Sequence, residues 1–384
     1  MNDGYIRSLD GIRALAILLV MTFHAELTQF GWTGVQLFFV LSGFLITGIL
    51  WKEKSREGDL AHKFKKFWVR RSLRIFPLYF GYLLFLGLSY LFLHFPAYYA
   101  TYIPWLATYT FNYTRTMGQW QGNPLFTHLW SLSIEEQFYL FFPLIVLLCP
   151  RRFTRWFMVV MAVAAPLVRY GLGIYYSHRG FAPEVTGDAV YWNTLTHLDA
   201  FFLGGLIPVW GLDKSIRRPG RLFLLAAIIT LGAGAIDFAL TGSGPYLADL
   251  GYRHAQTFNY EHVWQYTCLN LLFSTLILNL VSIHNQHRLQ LFRRILEHRW
   301  LVRIGRVSYG MYVFHWAILV YFYARFFTSP HLFWRIVLFV PYVLLVYLFA
   351  EASYRFYEVH FLKLKERIGV AKTPTPPTPP AHPN

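Results

Sequence analysis

Cysteine is nearly missing from this chain of 384 residues, which has two, Cys149 and Cys268. That pair can build neither a disulfide framework nor a cysteine-based zinc site. Charge is scarce too: Asp, Glu, Lys and Arg are 14% of the residues, well short of what the surface of a soluble domain needs. Acidic groups are rarest, 19 against 35 Lys and Arg, which leaves a formal net charge of +16. Apolar residues fill the space instead. They make up 55% of the chain, 20% is aromatic, and the mean hydropathy is +0.36. Long apolar runs recur from end to end, so the sequence reads as an all-α, polytopic membrane protein without a separate soluble domain.

Bilayer-crossing length is reached in about ten runs: 9–27, 34–51, 74–95, 131–149, 153–176, 194–211, 221–240, 261–282, 304–326 and 332–354. The stretch 97–112 reads as interfacial. Charge then orients the bundle. The connection after the second span holds Lys52, Lys54, Arg56, Lys63, Lys65, Lys66, Arg70 and Arg71. Later even-numbered connections hold Arg151 and Arg152, then Lys214, Arg217 and Arg218, then Arg288, Arg293, Arg294, Arg299 and Arg303. Odd-numbered connections have none, or Arg115, Arg179 or Arg253 alone. The positive-inside rule therefore puts both termini in the cytoplasm. It also accounts for most of the positive charge without nucleic acid as a partner, because no soluble basic face exists.

The first span is too long for a cleavable signal, and no internal repeat suggests an inverted-repeat transporter. Residues 1–360 are expected to form the membrane domain, and 361–384, ending in TPTPPTPPAHPN, a disordered proline-rich cytoplasmic tail. The histidines have no metal-ligand spacing, so no metal site is expected.

Ionisable residues inside apolar helices are costly and face a bundle interior or a site. In the first span Arg13 and His24 are eleven residues apart, about three turns plus 20°, so they share a face roughly 16 Å apart. Asp10 and Arg13 are expected near the inner surface and His24 towards the outer half. Arg71 and Arg74, three apart where the third span begins, suit a guanidinium pair gripping phosphates at the inner mouth of a cavity. Ser131 and Glu135 share a face of the fourth span, with Glu136 alongside. Glu135 at the depth of His24 suggests a carboxylate–imidazole pair for removing a proton from a hydroxyl. Glu136 reads as a structural partner for an arginine or a substrate contact. His197, Asp199, Ser308 and His315 suit helix–helix hydrogen bonds, with His315 also a candidate substrate contact. Gly34 and Gly43 suit close helix contact. Glu351, Arg355 and Glu358 form an ion-pair ladder by spacing.

The segments LDGIRALAILLVMTFH, GVQLFFVLSGFLIT, RRSLRIFPLY, HLWSLSIEEQFY, HLDAFFLGG and GRVSYGMYVFHW, in this order, resemble the membrane-bound acyltransferase 3 family. That resemblance implies ten helices and an acyl-coenzyme A donor, typically acetyl, reaching in from the cytoplasm of a bacterial inner membrane. The acceptor is a hydroxyl of a saccharide or lipid-linked glycan of the cell envelope. Carried onto this chain, Arg13, His24 and Glu135 become the catalytic candidates and Arg71 and Arg74 the donor-binding ones. Ser131, Asp10, Glu136 and His315 are candidates for the substrate. The donor is a co-substrate, and no permanently bound cofactor is expected. Some members carry a further extracytoplasmic hydrolase-like domain. Since this chain stops soon after its tenth span, a partner protein is expected for any downstream transfer.

The leading expectation is acyl transfer, with His24 either general base or transient acyl carrier and Glu135 orienting it. A transporter for an acyl donor or lipid-linked saccharide is the alternative, since a polar track fits it as well. A sensor or scaffold would need a larger output surface than 96–130 or the tail supplies. Trp105, Trp120 and Trp192 are candidates for stacking on a sugar ring.

Overall fold

The computed structural model describes residues 5–92, 96–117, 125–241, 249–282, 284, 290–323 and 332–367. Among them the chain is helical, with no strand. The helices are α1 (Arg7–His24), α2 (Thr33–Lys54), α3 (Leu60–Phe92), α4 (Pro96–Ala107), α5 (Trp130–Leu148), α6 (Arg151–His178), α7 (Pro183–Tyr191) and α8 (Leu198–Trp210). There follow α9 (Leu212–Ser215), α10 (Pro219–Thr241), α11 (Glu261–Val281), α12 (Gln290–Leu296), α13 (Arg299–Ile318), α14 (Leu332–Ser353) and α15 (Val359–Arg367).

All ten expected apolar segments are helical over most of their described residues, and among the described residues seven helices are long and apolar enough to cross a membrane: Thr33–Lys54, Leu60–Phe92, Thr127–Leu148, Arg151–His178, Pro219–Thr241, Glu261–Val281 and Leu332–Leu364. The protein is thus a multi-pass membrane protein. The other three segments correspond to α1, α8 and α13. Arg7, Asp10 and Arg13 lower the hydropathy of α1, Arg299, Arg303 and Arg306 that of α13, and α8 has only 13 residues. The helix α3 begins well before the expected 74, because the basic run from Leu60 is as helical as the apolar run after it. The interfacial stretch is α4 and a 3₁₀ turn at Phe111–Thr116. The 361 boundary of the tail falls inside α15; residues 368–384, like Trp120, lie outside the described residues.

The centre of the bundle is α2, 72% of whose apolar window is buried, against 11% in Leu332–Leu364. Small residues allow this, as expected for Gly34 and Gly43. A Cβ on Gly43 would meet the Phe201 carbonyl oxygen of α8 at 1.9 Å, and one on Gly34 the Ala16 carbonyl oxygen of α1 at 2.3 Å. With nothing but lipid as solvent, such backbone approach supplies the contact that hydrophobic burial supplies in water. Beside it, the fully buried Arg169 of α6 grips Asp199 of α8 through two hydrogen bonds, 3.1 and 2.9 Å, and donates to the Thr196 carbonyl at 2.6 Å. His197 is satisfied by Gln36 at 3.0 Å and the Tyr191 carbonyl at 2.5 Å. Both residues therefore lock helices, as expected for hydrogen-bonding roles. Near the start of α13, Glu351 accepts from Arg303 and Arg355, the expected ladder with one more arginine. Glu358 accepts from Ser353 at 3.1 Å instead.

Candidate functional site

Three cavities follow one another through the bundle. The first, ≈ 560 Å³, lies between α2 and the start of α3 and is lined by Lys52, Arg56, Lys63, Lys66, Arg70 and Arg71, with Glu53 among them. Arg71 is shared with a narrow central cavity of ≈ 110 Å³. Val35 and Tyr312 are shared in turn with a third cavity of ≈ 410 Å³, which contains His24. A basic mouth, a cationic chamber and a histidine-lined chamber are thus in series.

The mouth is basic because the loop between two apolar helices collects Lys and Arg. Lys66 is tied to Glu53 at 3.1 Å, and Lys63 donates to the Arg56 carbonyl at 2.5 Å. Four other cations line it, Lys52, Arg56, Arg70 and Arg71, so the cationic surface is wider than the pair expected from sequence. Arg70, counted from sequence among the cations of the connection after the second span, belongs to it.

Five helices build the central chamber, α13 adding Ser308, Tyr309 and Tyr312. Arg13 comes from α1, Ser42 from α2, Arg71 and Arg74 from α3, and Ser131, Glu135 and Tyr139 from α5. Arg71 and Arg74 share a face, as the three-residue spacing requires. The Arg71 guanidinium lies 4.2 Å above the Tyr139 ring, and its Nε has no hydrogen-bond partner among the described residues. Asp10, buried in α1, accepts from Arg13 and Tyr5, and Arg306 lies 3.9 Å away. Asp10 is therefore a partner for Arg13 and does not line the chamber. Ser42 donates to Glu135 at 2.6 Å, and the Tyr139 hydroxyl donates to Ser42 at 3.1 Å. Three guanidinium groups face one lining carboxylate, an imbalance suited to an anion or a polarised carbonyl.

The outer chamber holds His24 at the end of α1. Its ring lies 3.8 Å from Trp316, 5.2 Å from His315 and 5.2 Å from Phe23. The expected pairing of His24 with Glu135 is corrected here. Glu135 faces the central chamber, bonded to Ser42, while the imidazoles of His315, His128 and His254 are the titratable neighbours of His24. Spacing along each helix gave no rotation between helices, and the two side chains line successive cavities. His315 donates from Nδ1 to the Tyr312 carbonyl at 2.6 Å, leaving Nε2 buried and without a partner among the described residues. It contacts neither cavity as a lining residue. Ser131 is bonded to the Tyr312 hydroxyl at 2.5 Å and so ties α5 to α13. Glu136 is beside Arg71 and outside the cavity lining, with its Oε1 unpartnered among the described residues. Trp192 lines the outer chamber but stacks on Trp130 at 5.7 Å, and Trp105 packs against the core.

Sequence reasoning missed Ser42, Tyr139, His128, Asp188 and His254. Ser42, His128 and Tyr139 lay in quoted segments, where polarity inside an apolar run was the available signal. Asp188 and His254 come from separate loops or short helices with no periodic pattern to link them.

Fold and site together define a membrane protein built around a row of cation-lined cavities that ends at a half-buried histidine. Residues 6–351 match the acyltransferase domain family Acyl_transf_3, and the chain belongs to that family of acyltransferases. It is similar to the O-acetyltransferase OatA of Staphylococcus aureus (strain NCTC 8325 / PS 47), 28% identical over 389 residues covering 94% of this chain. OatA of strain COL is 28% identical over the same share. The chain spans 58% of the length of these relatives. No solved structure matches.

Proposed function

We propose that the protein is a membrane O-acyltransferase that moves an acyl group, most simply acetyl, from acyl-coenzyme A to a hydroxyl of a saccharide or lipid-linked glycan of the cell envelope. In this reading the chain crosses a bacterial inner membrane ten times, α1, α8 and α13 adding to the seven apolar helices, with both termini cytoplasmic. The alternation of basic and charge-poor connections supports that orientation. The observation that carries the function is the run of three cavities joined by Arg71 and then by Val35 and Tyr312.

Lys52, Arg56, Lys66, Arg70 and Arg71 bind the donor's phosphates at the inner mouth, where two cationic helix faces converge. A phosphate-rich anion fits this donor set, and the cavity's ≈ 560 Å³ suits a nucleotide rather than an acyl chain. The narrow chamber admits the slender arm of the donor past Arg13 and Arg74. The thioester carbonyl meets His24 beyond Val35 and Tyr312, and the acceptor hydroxyl is met in the outer chamber. Glu135, held by Ser42, supplies the counter-charge for Arg71 instead of orienting His24. The likeness to proteins named O-acetyltransferases supports acetyl as the acyl group.

Purified full-length protein with acetyl-coenzyme A and envelope glycolipid extract tests this. Free thiol released by wild type, and lowered at least about 100-fold in His24→Ala, is expected from the usual contribution of a positioned base or nucleophile. A transporter releases no thiol in either case. Wild-type release by His24→Ala would exclude His24 from the chemistry.

A further inference from the structure

The outer chamber has a second imidazole that the mechanism above leaves idle. His254, in the loop between α10 and α11, lines the same cavity as His24. Its ring is fixed by three aromatic neighbours: Tyr191 at 4.6 Å, Phe23 at 5.5 Å and Trp32 at 5.9 Å. Its Nδ1 lies 3.9 Å from Oδ1 of Asp188, the carboxylate of α7, whose Oδ2 accepts from Arg115. Imidazole, carboxylate and guanidinium are thus successive neighbours, and an Nδ1–H hydrogen bond to Asp188, once closed, would set one tautomer and leave Nε2 with its lone pair. A carboxylate–imidazole contact of this length is ordinary before substrate binds and shortens in the complex.

The backbone is built for this approach. Gly187 precedes Asp188, and a Cβ there would meet the Ala255 carbonyl oxygen at 1.8 Å. Ala255, directly after His254, has a φ of 55°, a left-handed conformation that costs a non-glycine residue free energy. The missing side chain of Gly187 lets the α7 backbone approach the Ala255 carbonyl, which sets Asp188 beside His254. Burial among the aromatic rings lowers the His254 pKa below its ordinary value, more than Asp188 raises it, so the ring is neutral at pH 7.

We propose that Asp188 and His254 form a second imidazole–carboxylate pair that binds and deprotonates the acceptor hydroxyl, of a polyol or saccharide, while His24 takes the acyl group from the thioester. The inference rests on the acyltransferase reading above and settles its open choice, assigning His24 as carrier. A ring nitrogen of His24 bonds to the thioester carbonyl carbon, the C–S bond breaks, and the thiolate leaves with its electron pair. The acylated ring is then a cation that keeps its N–H. The acceptor oxygen gives its proton to Nε2 of His254, forms the ester C–O bond and breaks the C–N bond, restoring neutral His24. The proton on His254 passes to water at the outer opening. Thioester and alcohol have become ester, thiolate and one proton.

Full-length protein with radiolabelled acetyl-coenzyme A and glycerol as the hydroxyl probe tests the pair. Wild type is expected to release thiol continuously, at a rate that rises with glycerol. His254→Gln and Asp188→Asn are expected to give one thiol per protein in a burst and then stall, with steady-state rates lower by about 100-fold or more and label retained on the His24 peptide. Hydroxylamine, a nucleophile that needs no base, is expected to restart both variants. Near wild-type steady-state rates with glycerol in both variants would overturn the proposal, as would loss of the burst along with turnover in both. Absence of thiol release from wild type would overturn the acyltransferase reading itself, a separate failure.

Discussion

Arg71 is the hinge of the account at the residue scale, since it alone lines both the mouth and the central chamber. A charge-assisted hydrogen bond to phosphate contributes about 1.5–3 kcal/mol. Arg71→Ala should therefore raise the Kd for coenzyme A by about 10- to 100-fold in calorimetric titration, whereas His24→Ala should leave it unchanged. Equal binding by Arg71→Ala would remove the donor from the mouth. Arg169 makes a different case. Its guanidinium and Asp199 are both fully buried, so removing one partner strands a charge. Arg169→Ala should cost about 3–5 kcal/mol of stability, read as a lowered unfolding temperature in detergent, and the apolar double variant Arg169→Met, Asp199→Leu should recover most of it. Residues that spacing sets on one helix face do gather, although Arg74, expected at the mouth, lines the central chamber and not the mouth. Arg13, Arg71, Arg74 and Glu135 all line the central chamber, and His24 stands one chamber further out. Pairing was legible only in part, because helical spacing gives depth and face along one helix but not the rotation of one helix against another. That rotation decides that Glu135 meets Ser42 and not His24.

Elements were legible to within a few residues wherever an apolar run set both ends. The expected 261–282 is Glu261–Val281, and 131–149 is Trp130–Leu148. Where a helix extends past its apolar part, as α3 does through its lysines and arginines, hydropathy marks only the portion suited to lipid. The glycine contacts were legible as small residues in apolar runs, and their partners were not. The α2–α8 crossing depends on Gly43, whose side-chain space is taken by the Phe201 carbonyl. Gly43→Leu should separate the two helices at a cost of at least about 1–3 kcal/mol, since the obstacle is backbone and cannot rotate away. Thermal unfolding of the purified variant checks this; an unchanged midpoint would mean that the crossing tolerates a wider gap.

Over the whole molecule, peripheral helices such as α10 and the segment Leu332–Leu364 present apolar side chains outward, while polar groups gather along one passage through the middle. The basic connection that the positive-inside rule assigns to the cytoplasm also lines the mouth, so the proposed orientation and the proposed donor binding have one physical origin. That row of cavities was invisible in the sequence as a route, because its walls come from α1, α2, α3, α5 and α13, from α7 with Asp188 and from the loop that carries His254. Its individual polar residues were visible as costs that an apolar helix would otherwise avoid.

The central claim is that an acyl group enters at the basic mouth and leaves as an ester on the far side. Sealed membrane vesicles prepared in both orientations, each given radiolabelled acetyl-coenzyme A on its outer surface only, test it directly. Labelled ester is expected when the Lys52–Arg71 mouth faces the donor, none when the His24 chamber does, and none from His24→Ala in either orientation. Labelled ester at equal rates from both orientations, or intact labelled acetyl-coenzyme A carried into the vesicles without ester, would contradict it.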